Sequence, residues 1–182
     1  GEAANLRANL FVREGYTFAG WNAAADGSGK STYRDGQRVR PGKNLTLYAQ
    51  WEPLSYTFTF DPNGGELIYN GQTYTEPLEI SVNFGEELIV PEVKREGYAF
   101  VTWLEYNTAV NYVAGETVTY LWLSDRELVA DWSLAPYTLT FDANGGTFKE
   151  TGEARVQLST TYETVYPAAG LSVPERDGYT FV

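Results

Sequence analysis

The residues able to do chemistry fall into a few groups, and each asks for a different set of partners. Ala24 to Ser31 reads AADGSGKS, a relaxed phosphate-loop spelling with alanine where the first glycine belongs. A working phosphate loop follows a buried parallel strand and opens a helix, whose N-terminus holds the anion. Here Trp21 leads into a loop, and Tyr33-Arg34-Asp35-Gly36 follows with no helical period. A glycine-rich hairpin loop is the expectation. Asp61/Asn63 and Asp142/Asn144 offer oxygens that calcium accepts. A calcium site takes about six to eight, however, and no further acids recur in register. Turn chemistry accounts for both pairs. Glu86-Glu87 and Glu92/Glu96 are the densest carboxylates for paired acid–base work, and nothing marks one of them as buried. The chain is read as non-enzymatic, with no cofactor and no metal.

Two further groups suit contact rather than reaction. Trp21, Trp103 and Trp122 lie outside the terminal-strand positions and have the shape to stack on sugar rings. The competing use of the same rings is to fill interior or inter-repeat space, and strand periodicity favours it. Arg34, Arg38, Arg40 and Lys43 form a local basic stretch that would meet a surface polyanion such as teichoic acid or glycosaminoglycan. Four cations in salt bind weakly, and a solvated hairpin face is the simpler reading. Host glycan and surface polyanion are thus the candidate ligands.

Composition narrows the field. The 182 residues hold no cysteine, histidine or methionine, which removes thiol–imidazole catalysis, haem ligation and zinc sites of the usual ligands. Net charge is −11, which excludes a general nucleic-acid binder. The charge is uneven: +3 over residues 1–51, −11 over 52–135 and −3 over 136–182. No apolar run approaches the roughly 20 residues that span a bilayer, so no direct membrane insertion is expected in this segment. The chain reads as an internal piece, with targeting segments elsewhere.

The elements that position these groups repeat. GYTFAGW from Gly15, GYAFVTW from Gly97 and GYTFV from Gly178 stand 82 and 81 residues apart. Period-two alternation with aromatics predicts strands. Tyr16 and Phe18 face one way, Ala19 and Trp21 the other. Leu45, Leu47, Ala49 and Trp51 form a second strand, matched by Leu128, Ala130 and Trp132. Tyr56, Phe58 and Phe60 run into Asp61-Pro62-Asn63-Gly64-Gly65, and Tyr137, Leu139 and Phe141 into Asp142-Ala143-Asn144-Gly145-Gly146. Asparagine–glycine after an alternating run signals a hairpin, because its turn needs two positive φ angles. Leu78, Ile80, Val82 and Phe84 predict another strand, and Tyr179 to Val182 the start of one more. Four-residue joints, Glu52 to Ser55 and Ser133 to Pro136, each contain proline. Successive units must therefore lie close, as a semi-rigid rod. Three units result: the C-terminal part of a first repeat (1–51), a complete middle repeat (56–132) and the N-terminal part of a third (137–182). The two partial units are expected to expose unpaired edges.

The order FDxNGG, then P-x-x-x-R-x-GYxFxxW, then LYAQW resembles the Listeria–Bacteroides repeat, the family that includes the internalin B-repeat. The first unit matches best. The middle one has Thr102 where Gly20 stands, and Leu128-Val129-Ala130-Asp131-Trp132 in place of LYAQW. The resemblance implies a mainly β, β-grasp-like module with at most short helices, repeated about every 81 residues and joined by short proline-containing linkers. It further implies an extracellular segment of a bacterial surface protein, serving as a stalk or adhesion segment, and transfers no catalytic residues. A stalk or spacer partnered by neighbouring repeats is the leading expectation. A carbohydrate- or mucin-binding module using exposed aromatics is the alternative.

Overall fold

The computed structural model describes residues 2–106, 108, 110–165 and 173–181, and all regular structure among them is strand. The mainly β expectation holds, without any helix in those residues. The first repeat contributes β1 (Ala4–Asn5), β2 (Tyr16–Asn22), β3 (Thr32–Tyr33), β4 (Arg38–Val39) and β5 (Tyr48–Pro53). The middle repeat contributes β6 (Ser55–Asp61), β7 (Glu66–Tyr69), β8 (Gln72–Tyr74), β9 (Leu78–Asn83) and β10 (Glu87–Ile89). It continues with β11 (Glu92–Lys94), β12 (Tyr98–Glu105), β13 (Asn111–Tyr112), β14 (Thr117–Thr119) and β15 (Arg126–Leu134). The third repeat holds β16 (Pro136–Asp142), β17 (Thr147–Phe148), β18 (Arg155–Thr161) and β19 (Pro174–Glu175).

The middle repeat is built on a five-stranded sheet of order β13-β12-β15-β6-β9, in which β6 and β15 are parallel and the other pairs antiparallel. Two small sheets, β11-β7-β8 and β10-β14, supply the rest. Their Leu67 and Leu88, with Val90 just past β10, share one core with Phe58 and Phe60 of β6, Trp103 of β12 and Leu128 of β15. Phe58, Phe60, Leu67, Val90, Trp103, Tyr120 and Leu128 are all 0% exposed. Fully burying one such side chain stabilises by roughly 1.5–3 kcal/mol, which is how a unit of this size holds together. Ring geometry adds to it: Phe60 meets Trp103 edge-on at 5.2 Å, and Phe58 meets Tyr120 the same way at 5.5 Å.

Three expectations about strands change. Simple alternation places Phe18 and Trp21 on opposite faces, yet their rings meet edge-on at 5.2 Å. A β-bulge between Phe18 and Gly20 inserts one residue, Ala19, and turns Trp21 onto the face of Phe18. The middle repeat does the same between Phe100 and Thr102, bringing Phe100 and Trp103 to 5.8 Å. The spacing F-x-x-W is thus a bulge signature.

The Asn63-Gly64 turn has the expected pair of positive φ angles, 48° and 80°, closed by the Gly65 N–H donating to Pro62 O at 3.0 Å. It is not the tip of a hairpin. Both edges of β6 are already taken, by β15 and β9, so the turn sends the chain to a different sheet. Asn144-Gly145 behaves alike, with φ of 47° and 85°, between β16, which pairs β18, and β17, which pairs β19.

Strand β5 begins only at Tyr48, leaving Leu45 and Leu47 outside it, and Tyr179 to Phe181 lie in no strand. Residue 182 lies outside the described residues. In the middle repeat the matching residues are held by ladders, Arg126 to Leu128 beside β6 and Tyr98 to Phe100 beside β15. Among the described residues of the outer repeats those neighbours are absent, and extended backbone without a ladder is not held as strand.

Candidate functional site

The feature built twice over, with the same parts, is the junction between repeats. Strand β5 ends at Pro53 and β6 begins at Ser55; β15 ends at Leu134 and β16 begins at Pro136. The joints are short and contain proline, and they are tighter than four residues: only Leu54 and Ala135 lie between strands. At the first junction the Leu54 N–H donates to Gly15 O at 2.8 Å, and the Phe84 N–H donates to Leu54 O at 2.9 Å. At the second the Ala135 N–H donates to Gly97 O at 2.9 Å, and the Tyr162 N–H donates to Ala135 O at 3.0 Å. One linker residue is therefore bonded on both sides, to the GY phrase of the repeat before it and to the residue just past the strand, β9 or β18, that pairs with the opening strand of the repeat after it.

Side chains complete the fastening. Tyr16 meets Phe84 edge-on at 5.8 Å, and Tyr98 meets Tyr162 at 5.7 Å. Arg13 lies over the Tyr16 ring at 3.7 Å and Arg95 over the Tyr98 ring at 3.9 Å, cation–π contacts that hold each tyrosine from the side. The glycine of each phrase is required by space as well as by its φ of 75° or 79°. A Cβ on Gly15 would come within 2.2 Å of the Phe84 ring, and one on Gly97 within 2.3 Å of the Tyr162 ring. Tandem alignment hides the ring partner. Phe84 and Tyr162 are 78 rather than 81 residues apart, because the excursion between paired strands is three residues shorter in the third repeat. What could have revealed it is an aromatic closing an alternating strand just before a positive-φ residue, Gly85 or Glu163.

The residues singled out for ligand contact are placed differently. Trp103 is wholly enclosed, its Nε1–H donating to Pro91 O at 3.0 Å, so as a stacking platform it is corrected to a core residue. Trp21 is half-buried against Phe11 and Phe18. Trp122 is half-buried among Tyr112, Tyr120 and Arg126, whose guanidinium lies 5.2 Å from its ring centre. Trp51 and Trp132 are half-buried too, so no solvent-facing row of indoles forms. Arg34, Arg38, Arg40 and Lys43 are all exposed and join none of the ion pairs among the described residues.

The other candidate chemistry dissolves into turns. The Asn22 amide donates to Gly27 O at 2.9 Å and Gly29 O at 3.2 Å, stapling the AADGSGKS loop to β2, and no helix follows it. Hydrogen bonds from the Ser28 hydroxyl and backbone hold the Asp26 carboxyl below its usual range. Asp61 and Asp142 each accept the N–H two residues on, at 2.7 and 2.8 Å. The backbone N–H of Asn144, with help from Arg155, also holds Asp142 below the carboxylate norm. Glu86, Glu87, Glu92 and Glu96 are exposed, and no acidic group able to hold a metal occurs among the described residues.

One ionic pair that sequence reasoning missed is buried: Glu105 with Arg126, whose side chains are 7% and 17% exposed. Thr108 donates its hydroxyl to the same carboxylate at 2.9 Å. It joins β12 to β15 and is a structural pair.

Comparison with known proteins agrees with the repeat. Over 175 residues, 95% of the chain, it is 31% identical to a glycine-rich protein of Evansella cellulosilytica named as a membrane protein. A second membrane-named protein of that organism is 28% identical over 77% of the chain. Internalin H of Listeria monocytogenes is 36% identical over 53% of it. The chain spans only 18%, 18% and 16% of these relatives' lengths. No solved structure matches it significantly. The family model of the Listeria–Bacteroides repeat matches three times, over residues 1–50, 56–130 and 137–182. The chain belongs to the Listeria–Bacteroides repeat family.

Proposed function

We propose that this segment is a non-enzymatic spacer in a bacterial cell-surface protein, holding another part of that protein away from the wall. The observation that carries the reading is the junction used twice: one linker residue, bonded front and back, with a tyrosine, an arginine and a facing ring in the same places. A flexible tether needs none of these contacts, whereas a stalk needs each unit to inherit its neighbour's direction. The names of the membrane-named relatives and Internalin H support a surface or membrane-associated setting. In this reading the grasp-like module is the unit of length, the neighbouring repeats are its partners, and the segment runs no reaction.

Small-angle scattering of the chain tests it. An elongated particle with a scattering profile unchanged by salt is expected, and a compact globule refutes the spacer.

A polyanion-binding role has one specific observation behind it, the exposed and unbridged set Arg34, Arg38, Arg40 and Lys43. It predicts weak retention on heparin, lost on changing all four to glutamine. Glycan stacking has less support, because the indoles pack inward.

A further inference from the structure

Strands β6 and β15 open and close the middle repeat, and they lie side by side as its parallel pair. Their partners run from Phe58 opposite Arg126 to Asp61 opposite Val129. The chain enters β6 from Leu54 and leaves β15 into Ala135. Because the two strands run the same way, entry and exit lie at opposite ends of the pair. Tension passed along the chain therefore drags β6 backwards and β15 forwards along a common axis. The ladder bonds lie across that pull and are stretched together, whereas strands pulled apart at adjacent ends open one bond after another.

We propose that the β6–β15 pair is a shear clamp, and that the middle repeat serves as a tension-bearing module. Three bonds outside the ladder cross the same interface. The Asn63 amide donates to Ala130 O at 3.0 Å, the Trp132 Nε1–H to Pro62 O at 3.1 Å, and the Thr57 N–H to Asp125 Oδ1 at 2.7 Å. They tie both ends of β6 to the segments flanking and forming β15. Phe58 and Phe60 of the first strand and Leu128 of the second are wholly enclosed, so sliding would drag rings through a close-packed core. The pair is also shielded on both sides, by β12 and β9. Where the junctions only set direction, this pair resists extension. The inference rests on strand order and not on the spacer reading, so a compact particle in scattering would leave it standing.

Single-molecule pulling on the full chain tests it. The sequence has no cysteine, so introduced thiols are unique handles. Leu54→Cys with Ala135→Cys loads the pair in shear. Ser55→Cys with Asn83→Cys sits on opposed residues of antiparallel β6 and β9 and peels them. At one loading rate the first geometry should need at least about twice the unfolding force of the second, since ladder bonds break together rather than in turn. Trp132→Phe, which keeps the ring and loses the donor, should lower the shear force and leave the peeling force unchanged. A shear force no higher than the peeling force overturns the clamp, as does a Trp132→Phe change that lowers both alike.

Discussion

Gly97 and Gly178 have nearly the same backbone, φ of 79° and 77°, but different surroundings. The first faces the Tyr162 ring, whereas a Cβ on the second would meet no atom of the described residues within 4 Å. Replacing either with alanine forces a left-handed conformation costing about 1–2 kcal/mol. Only Gly97→Ala should in addition displace the ring, so it is expected to destabilise by more than Gly178→Ala in urea titrations. Equal losses would mean that the junction contact contributes nothing. Tyr120 offers a second residue-level test. Burial pushes its phenol up to about 12 from 10.0, and its hydroxyl donates to Ser124 O at 2.6 Å. The folded state favours the neutral phenol, so its contribution is complete below pH 10 and is lost as pH rises through about 12. Absorbance at the phenolate band should show Tyr120, and Tyr112 whose phenol burial also pushes up, titrating late and together with unfolding.

Among the elements, β12 and β15 are joined by ladder bonds and by the Glu105–Arg126 pair. Removing one member leaves a buried charge without its partner, so Arg126→Ala should cost about 3–5 kcal/mol of middle-repeat stability. Glu105→Gln combined with Arg126→Met should recover much of that loss in the same melt. How far such elements can be read from sequence differs by type. The apolar alternation of β6 and β9 was legible because both strands lie half in a core, and period two follows from that. The bulge in GYxFxxW was not, since one inserted residue reverses the facing of Trp21 while leaving its spelling unchanged. Nor was the fate of the Asn-Gly turn, whose local geometry was right and whose flanking strands found other partners. Local φ preferences are written in adjacent residues; strand partnership depends on which edges distant segments have already filled.

At the scale of the whole chain, the repeat period located the three units, but not what joins them. The GY phrase reads as a strand start, and it is one at Tyr16 and Tyr98 but not at Tyr179. Its second role needs Phe84 or Tyr162, which lie 69 and 65 residues downstream and fall out of register with each other. The tryptophans illustrate the opposite case. As residue types they suited sugar rings, and their inward packing became visible only with the core around them. A stalk requires rigid junctions. Spin labels on introduced cysteines at Ser28 and Thr73, both exposed and in different repeats, would report the distance between the first and middle units by pulsed dipolar spectroscopy. A single narrow distance distribution is expected, broadening on Phe84→Ala; a broad distribution in the unaltered chain would contradict it.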